Sequence, residues 1–113
     1  MRLINLALIS IVAMLALAAP SFAAAKANTL SGTDGPGFTI TMTKTTVKAG
    51  AYVITIHDRS PIHDFHLTGA GVNKATLVPS VGTTTWKVTL KKGTYHFVCD
   101  PHRAIMHGIL KVT

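Results

Sequence analysis

The sequence predicts an all-β domain, a β-sandwich or barrel, preceded by a secretory signal peptide. Short segments rich in β-branched and aromatic residues recur at intervals near ten residues, and turn-forming residues separate them. No segment after residue 25 keeps a helical hydrophobic period for more than about two turns. The six predicted strands cover residues 38–42, 51–58, 64–68, 83–90, 94–99 and 108–113.

The N-terminal 25 residues have the composition of a signal peptide. Arg2 provides a short positive region, an apolar run follows, and the small residues of "SFAAA" place a cleavage site after Ala23 or Ala25. The alternative is an uncleaved membrane anchor, because residues 3–25 contain only three polar side chains and are long enough to span a bilayer.

Residues 26–37, "KANTLSGTDGPG", are polar and rich in glycine, and they are predicted to be a flexible lead-in. The folded domain is then expected at residues 38–113. Removal of the signal leaves roughly 90 residues, enough for one small domain with a limited core. Exported domains of this size often depend on disulfides, and this chain has a single cysteine, so a bound metal is a candidate replacement.

Two similar segments, "VKAGAYVI" (47–54) and "LKKGTYHF" (90–97), predict a turn that leads into a core strand. Each places a glycine, Gly50 or Gly93, where a three-residue hairpin loop requires positive φ. Because side chains alternate along a strand, Tyr95, Phe97 and Cys99 are expected on one inward face. The predicted position of Cys99 is therefore the end of a buried row.

The charge is strongly positive. Without Arg2 the chain has ten Lys and Arg against four Asp, a formal charge of +6. Such a surface favours an acidic partner, an anionic membrane or nucleic acid, and export argues against nucleic acid. Scattered lysines that only keep the protein soluble are the alternative, since the chain has no run of five basic residues.

The lone cysteine lies in "FVCDPHRAIMHG" (97–108) and admits several functions. A catalytic Cys–His pair lacks an evident orienting acid, and a structural zinc site usually needs paired cysteines. Covalent haem attachment requires C-x-x-C-H, which is absent. An inert buried thiol is the commonest fate of a single cysteine, but it leaves the neighbouring His102 and Met106 without a role.

The spacing C-x2-H-x3-M favours copper. One thiolate and two imidazoles in a plane, with a weak thioether, bind both Cu(I) and Cu(II), because soft sulfur suits the reduced ion and imidazole suits both. Cys99, His102 and Met106 would supply three of these donors from one loop. The second imidazole must come from elsewhere, and "SPIHDFHLTG" (60–69) offers His63 and His66.

The two motifs "SPIHDFHLTG" and "CDPHRAIMHG", followed by the closing strand "ILKVT", resemble the cupredoxin family of blue copper proteins, of the plastocyanin, pseudoazurin and amicyanin type. The resemblance extends over residues 38–113. It implies a Greek-key β-sandwich that binds one type 1 copper ion, with His63, Cys99 and His102 as equatorial ligands and Met106 as the weak axial ligand.

His63 occupies the position of the family's first ligand, since "IHDF" is similar to the plastocyanin-like "PHN" pattern. His66 is the alternative, although in a strand it faces the opposite side, and a hydrogen-bonded strand residue is its expected role. The remaining histidines are expected at the surface: His57, His96 and His107.

The chain departs from the family pattern in two ways. The spacing from His102 to Met106 is one residue shorter than in plastocyanin and one longer than in amicyanin. Asp64 stands where plastocyanin-like members have Asn, so a side-chain hydrogen bond that ties the ligand loops together would involve an anion. Pro101 has no N–H to donate to the thiolate.

The resemblance implies a monomeric, periplasmic or otherwise exported electron carrier, without enzyme activity, that docks a redox partner through an apolar patch around His102. Five residues flank the ligands and are predicted to form that patch: Pro61, Ile62, Pro101, Ala104 and Ile105. Arg59, Lys74 and Arg103 are candidates for steering an acidic partner. A copper-binding module for delivery, storage or resistance is the alternative, and a metal-free structural sandwich is a third possibility.

Overall fold

The computed structural model describes residues 15–19 and 26–113, and the predicted signal peptide or anchor lies largely outside them. Nine strands and one short 3-10 turn (Asp100–His102) make up the described fold. No helix within these residues is long and apolar enough to cross a membrane. The strands are β1 (Asn28–Asp34), β2 (Ile40–Met42), β3 (Thr46–Val47), β4 (Gly50–Asp58), β5 (His66–Gly69), β6 (Val72–Ala75), β7 (Gly82–Leu90), β8 (Gly93–Val98) and β9 (His107–Val112).

The strands form two mixed sheets, which confirms the predicted all-β sandwich. One sheet has the order β2-β1-β4-β7 and the other β3-β9-β8-β5-β6. The pairs β1–β4 and β3–β9 are parallel, and the other pairs are antiparallel. Apolar side chains from both sheets join in a single core between them.

The prediction of a flexible lead-in at residues 26–37 is wrong. Most of this segment is β1, an internal strand between β2 and β4. Leu30, Gly32 and Asp34 alternate inward, and the missing side chain of Gly32 makes room for the ring of Phe65. The polar composition concealed this period-2 pattern because two of the three inward residues are glycine and aspartate. The folded domain therefore begins well before residue 38.

The two similar turns do not form hairpins, although their glycines have the predicted positive φ. Gly50 has φ of 152° and Gly93 has φ of 146°. The turn before Gly50 connects β3 in one sheet to β4 in the other, and the turn before Gly93 likewise connects β7 to β8. Both turns are corners that carry the chain from one sheet to the other, because β3 pairs with β9 and β7 pairs with β4.

The predicted inward row that ends at Cys99 is confirmed, and β4 has a similar row. Tyr52, Ile54 and Ile56 on β4 are buried, and so are the alternate residues of β8. Across the core, Phe65 stacks on Phe97 with ring centroids 5.6 Å apart. The next inward position beyond Phe97 is Cys99, which is fully buried. The alternation of side chains along β8 therefore places the Cys99 thiol at the end of the core.

Most predicted strands agree with the structure to within two residues at each end. The segment 38–42 is shortened to β2, which leaves Phe38 in the loop between β1 and β2. The strands β3 and β6 were not predicted, since two and four residues are too short for a clear alternating pattern.

Candidate metal centre

Loops from both halves of the chain meet at one end of the sandwich, here called the copper end. They comprise residues 35–39, 59–65, 76–81 and 99–106. His63 lies in the loop between β4 and β5, Cys99 follows β8, and His102 ends the 3-10 turn. His63 and Cys99 are fully buried, whereas His102 is partly exposed.

The three predicted equatorial donors converge. The Nδ1 atoms of His63 and His102 are 3.1 Å apart. The Cys99 Sγ atom lies 3.7 Å from Nδ1 of His63 and 3.5 Å from Nδ1 of His102. Two imidazole nitrogens and one sulfur thus form a small triangle, and within the described residues this is the one group of three or more His, Cys, Asp or Glu side chains close enough to hold a metal ion.

Met106 lies in the same loop and is fully buried. Its N–H donates to the carbonyl of His102 (2.8 Å), and its carbonyl accepts the N–H of Cys99 (2.9 Å). These two bonds close the segment between Cys99 and Met106 into a compact turn. The backbone therefore holds the C-x2-H-x3-M motif together in spite of its intermediate loop length.

The orientation of the His63 ring is fixed by the loop between β1 and β2. Its Nε2 lies 2.9 Å from the carbonyl oxygen of Gly37. Because a carbonyl only accepts, Nε2 must carry the hydrogen, which leaves Nδ1 as the unprotonated nitrogen in neutral histidine. The atom that faces Cys99 and His102 is therefore the one that can bind a metal.

Phe38 packs against both imidazoles. Its ring centroid lies 5.3 Å from that of His63 and 4.9 Å from that of His102, with the rings at 68° and 84°. Phe38 is nevertheless 55% exposed. The sequence analysis placed it in a strand and assigned it no function, although the turn residues of "DGPGF" mark the loop in which it lies.

Cys99 is a buried thiol flanked by backbone donors. Burial raises its pKa, and hydrogen bonds from the backbone of Asp64 and His102 oppose that rise. A bound metal cation would overcome the remaining cost of ionisation, since a coordinating thiol is deprotonated. The surroundings of the sulfur thus resist free thiolate formation but can accommodate a metal-bound thiolate.

Asp64 ties the two ligand loops together, although it stands where plastocyanin-like members have Asn. Its Oδ1 accepts the N–H of Asp100 at 2.6 Å. Burial is the largest influence on its carboxyl group and raises its pKa; the N–H of Asp100 opposes that rise, whereas the carboxyl group of Asp100 adds to it. This bond joins the residue after His63 to the residue after Cys99.

His66 does not join the donor group. Its Nδ1 lies 2.8 Å from a carboxylate oxygen of Asp100, and its Nε2 lies 2.7 Å from Oδ1 of Asn73. Burial lowers its pKa, but the bonds to Asn73 and Asp100 outweigh burial and raise the pKa overall. His66 is thus the hydrogen-bonded strand residue that was predicted.

The other three histidines are scattered over the surface. His96 and His107 are exposed, and His57 is partly buried with its Nδ1 3.5 Å from the hydroxyl of Thr83.

A buried pair of aspartates lies at the same end, and the sequence analysis missed it. Asp34 and Asp58 are paired residues at the ends of the parallel strands β1 and β4, and both are buried. Neither carboxylate oxygen of Asp34 has a donor among the described residues. Burial, followed by the neighbouring Asp58, raises the pKa of Asp34 to about 7. Asp34 is therefore expected to keep its proton well above the pH at which an ordinary aspartate ionises.

Comparisons with known proteins agree with this geometry. The model of the family "Copper binding proteins, plastocyanin/azurin family" matches residues 23–113. The chain therefore belongs to the plastocyanin/azurin family of copper-binding proteins. No curated protein sequence matches the chain.

Solved structures of rusticyanin share the fold. Reduced rusticyanin superposes with a TM-score of 0.60 and 22% identity, and the match covers 80% of this chain and 82% of that one. Rusticyanin from Thiobacillus ferrooxidans gives a TM-score of 0.56 and 19% identity, with 75% and 76% covered.

The donor set fits the copper that the family implies. Two imidazole nitrogens and a thiol converge at the buried end of a core strand, with a methionine buried in the same loop. Soft sulfur and imidazole donors suit copper in both of its oxidation states. One type 1 copper ion is the cofactor of this protein.

Proposed function

We propose that this protein is an exported electron carrier in which His63, Cys99 and His102 hold a type 1 copper ion and Met106 is its weak axial ligand. Bound copper supplies a one-electron couple between Cu(I) and Cu(II). The observation that carries the proposal is the triangle of two Nδ1 atoms and one sulfur, with edges of 3.1 to 3.7 Å.

The way in which the ligands are held supports electron transfer. Fast exchange requires little movement between the oxidised and reduced forms. His63 is fixed by Gly37, the Cys99–Met106 turn is closed by two backbone bonds, and Asp64 joins the two loops. Such surrounding bonds orient ligands and limit their movement. A single copper held by four protein side chains has no open coordination position for a substrate, so we expect no enzyme activity.

His102 is the proposed port for the electron because it is the donor that reaches the surface. The described residues 26–113 contain six exposed large apolar side chains, and five of them lie in the loops of the copper end: Phe38, Ile62, Leu77, Val81 and Ile105. The shorter residues predicted to flank the site, Pro61, Pro101 and Ala104, are also exposed. An apolar surface of this kind suits a close and transient contact with a redox partner.

The partner is expected to be a protein, with no nucleic acid involved. Arg59 and Arg103 are exposed beside the apolar surface and could steer a partner with acidic groups. We expect a monomer in the periplasm or another exported compartment, with no stable membrane association once the signal peptide is cleaved.

The test of the copper site is a visible absorption spectrum with one equivalent of Cu(II), compared between the native protein and Cys99→Ser. We expect an intense thiolate-to-copper band that disappears on reduction, returns on reoxidation and is absent from the variant. A colourless sample that the substitution does not change would remove Cys99 from the site and contradict the proposal.

Copper delivery or storage is the second candidate, because His57, His66, His96 and His107 remain outside the donor group. It predicts more than one copper per chain or ready transfer of copper to an acceptor. The spread of these four histidines favours a single site instead. A copper titration that saturates at one equivalent, with stable redox cycling, would support the electron carrier, whereas further tight equivalents would favour copper handling.

Docking is tested by Ile105→Asp at the copper end, with Ile109→Asp as the control. Both isoleucines are exposed, but Ile109 lies on β9, away from the ligand loops. We expect the first change to slow electron exchange with the native partner by about tenfold, since one central contact often contributes over about 1 kcal/mol. Equal rates in both variants would disprove the assignment of the docking surface.

A further inference from the structure

The two imidazoles of the copper site differ in how their rings are held. His63 is fixed at both nitrogens, because Nε2 donates to Gly37 while Nδ1 faces the donor triangle. His102 makes hydrogen-bond-length side-chain contacts, among the described residues, only with His63 and Cys99, and both contacts involve Nδ1. Its Nε2 edge is therefore not anchored by hydrogen bonds within the described residues. Something else must set the plane of the His102 ring.

Phe38 is the side chain placed to do so. Its ring lies closer to His102 than to His63, at 4.9 Å against 5.3 Å, and it is nearly perpendicular to His102. The two imidazoles are themselves 4.8 Å apart at 82°. The three rings thus form a mutual edge-to-face cluster, an arrangement that aromatic rings favour over face-to-face contact. Rotation of either imidazole would break its contact with Phe38.

The loop that carries Phe38 is itself held against the site. The N–H of Gly35 donates to the carbonyl of Thr39 at 2.9 Å, which closes residues 35–39 into a tight turn. Gly35 has φ of 71°, and a Cβ there would lie 3.2 Å from the His63 ring. The carbonyl that anchors His63 belongs to Gly37, the residue before Phe38. One short loop therefore contacts both imidazoles.

We propose that Phe38 is a positioning residue that holds the imidazole rings of His63 and His102 in the orientation in which both Nδ1 atoms face the copper. This role explains why a phenyl ring stays more than half exposed at this position instead of entering the core. The inference rests on the ligand set of the proposed function, but it does not depend on the identity of the redox partner.

The test compares Phe38→Leu, which keeps an apolar side chain without a ring, with Phe38→Tyr, which keeps the ring. Ile109→Ala is the matched control, since Ile109 is 54% exposed and lies outside the copper end. The measurements are the rate of copper release to an excess of chelator and the position of the thiolate-to-copper band. Unfolding of the copper-free proteins in urea checks that every variant is folded.

We expect Phe38→Leu to release copper about tenfold faster and to shift the band, as changes to residues around a metal site commonly do. Phe38→Tyr and Ile109→Ala should stay within about twofold of the native rate, the range of an ordinary surface change. The inference is overturned if Phe38→Leu behaves like the native protein, or if Phe38→Tyr is as fast as Phe38→Leu.

The variant His102→Ala separates this inference from the ligand assignment. If that variant loses the band while Phe38→Leu is unchanged, the ligands are correct and the positioning role is wrong. If that variant keeps the band, the ligand set itself fails, and the role of Phe38 fails with it.

Discussion

The two ends of the sandwich carry opposite kinds of side chain. All four acidic residues of the chain lie at the copper end, and three of them are buried there: Asp34, Asp58 and Asp64. The opposite end, here called the lysine end, contains the two sheet-to-sheet corners with Lys48, Lys91 and Lys92. Lys26, Lys44 and Lys48 line one groove at that end.

The difference between the two ends changes how the net positive charge of the chain is interpreted. From composition alone, a basic surface favours an acidic partner without showing which basic residues lie near the copper. In the structure five of the eight lysines lie at the lysine end, and the basic residues in the loops of the copper end are Arg59 and Arg103. Since surface charges are screened over about 10 Å in ordinary salt, the lysine end contributes little to contacts at the copper end.

The ends also differ in how their backbones are fixed. The lysine end turns through short corners in which Gly50 and Gly93 adopt positive φ. The copper end consists of longer loops that are joined by side chains, among them Asp64 and His63. The copper end therefore depends on polar contacts and on the metal. Its stability should respond to copper removal and to pH more strongly than that of the lysine end.

Removal of copper should produce the largest difference between the ends. Copper at a thousand times its dissociation constant stabilises the folded state by about 4 kcal/mol. We expect the amides of residues 99–106 to lose hydrogen-exchange protection on copper removal, while those beside Gly50 and Gly93 change little. Hydrogen exchange of the copper-bound and copper-free forms, measured residue by residue, makes the comparison. A uniform loss at both ends would contradict it.

The buried pair should give the next largest effect, seen as a pH dependence of stability. The folded pKa of Asp34, about 7, is above the ordinary value of 3.8. At a pH between these two pKa values, the folded protein keeps a proton on Asp34 that the unfolded chain has lost. The stabilisation from this proton is therefore complete below the lower pKa and disappears as pH rises through the upper pKa. The loss is at most about 4 kcal/mol.

Asp34→Asn measures this contribution because it keeps the shape of the side chain but cannot ionise. We expect the free energy of unfolding of the copper-free native protein to fall, relative to the variant, as pH rises from 4 to about 7. Urea unfolding at a series of pH values gives the difference. Parallel curves for the two proteins would show that folding does not raise the pKa of Asp34.

The smallest effect is expected for an exposed ion pair at the copper end. Arg103 donates to Asp100 at 2.8 Å, and the arginine is 67% exposed. We expect Arg103→Ala to change the free energy of unfolding by less than about 1 kcal/mol, similar to Lys91→Ala at the lysine end. The two variants should differ in electron exchange with an acidic partner, which only the first should slow. A stopped-flow measurement at low salt distinguishes them.

Several parts of the fold and the site could be read from the sequence because they depend on local pattern. The alternation of Tyr95, Phe97 and Cys99 placed the thiol at the end of a buried row, and the structure confirms it. The spacing of Cys99, His102 and Met106 identified one loop as a source of donors. Strand β1 was missed, because its inward positions include Gly32 and Asp34, which have no apolar signature.

The amino-acid sequence by itself determined the all-β class, the inward face of the core strands and the chemistry of the donor loop. These follow from period-2 alternation and from residue type, both of which act over a few neighbouring residues. Tertiary structure alone decided that Phe38 packs on two imidazoles, that Asp34 pairs with Asp58, and that most lysines lie at the end opposite the aspartates. Each of these requires segments far apart in the chain to meet, and their meeting depends on the order of strands in the two sheets.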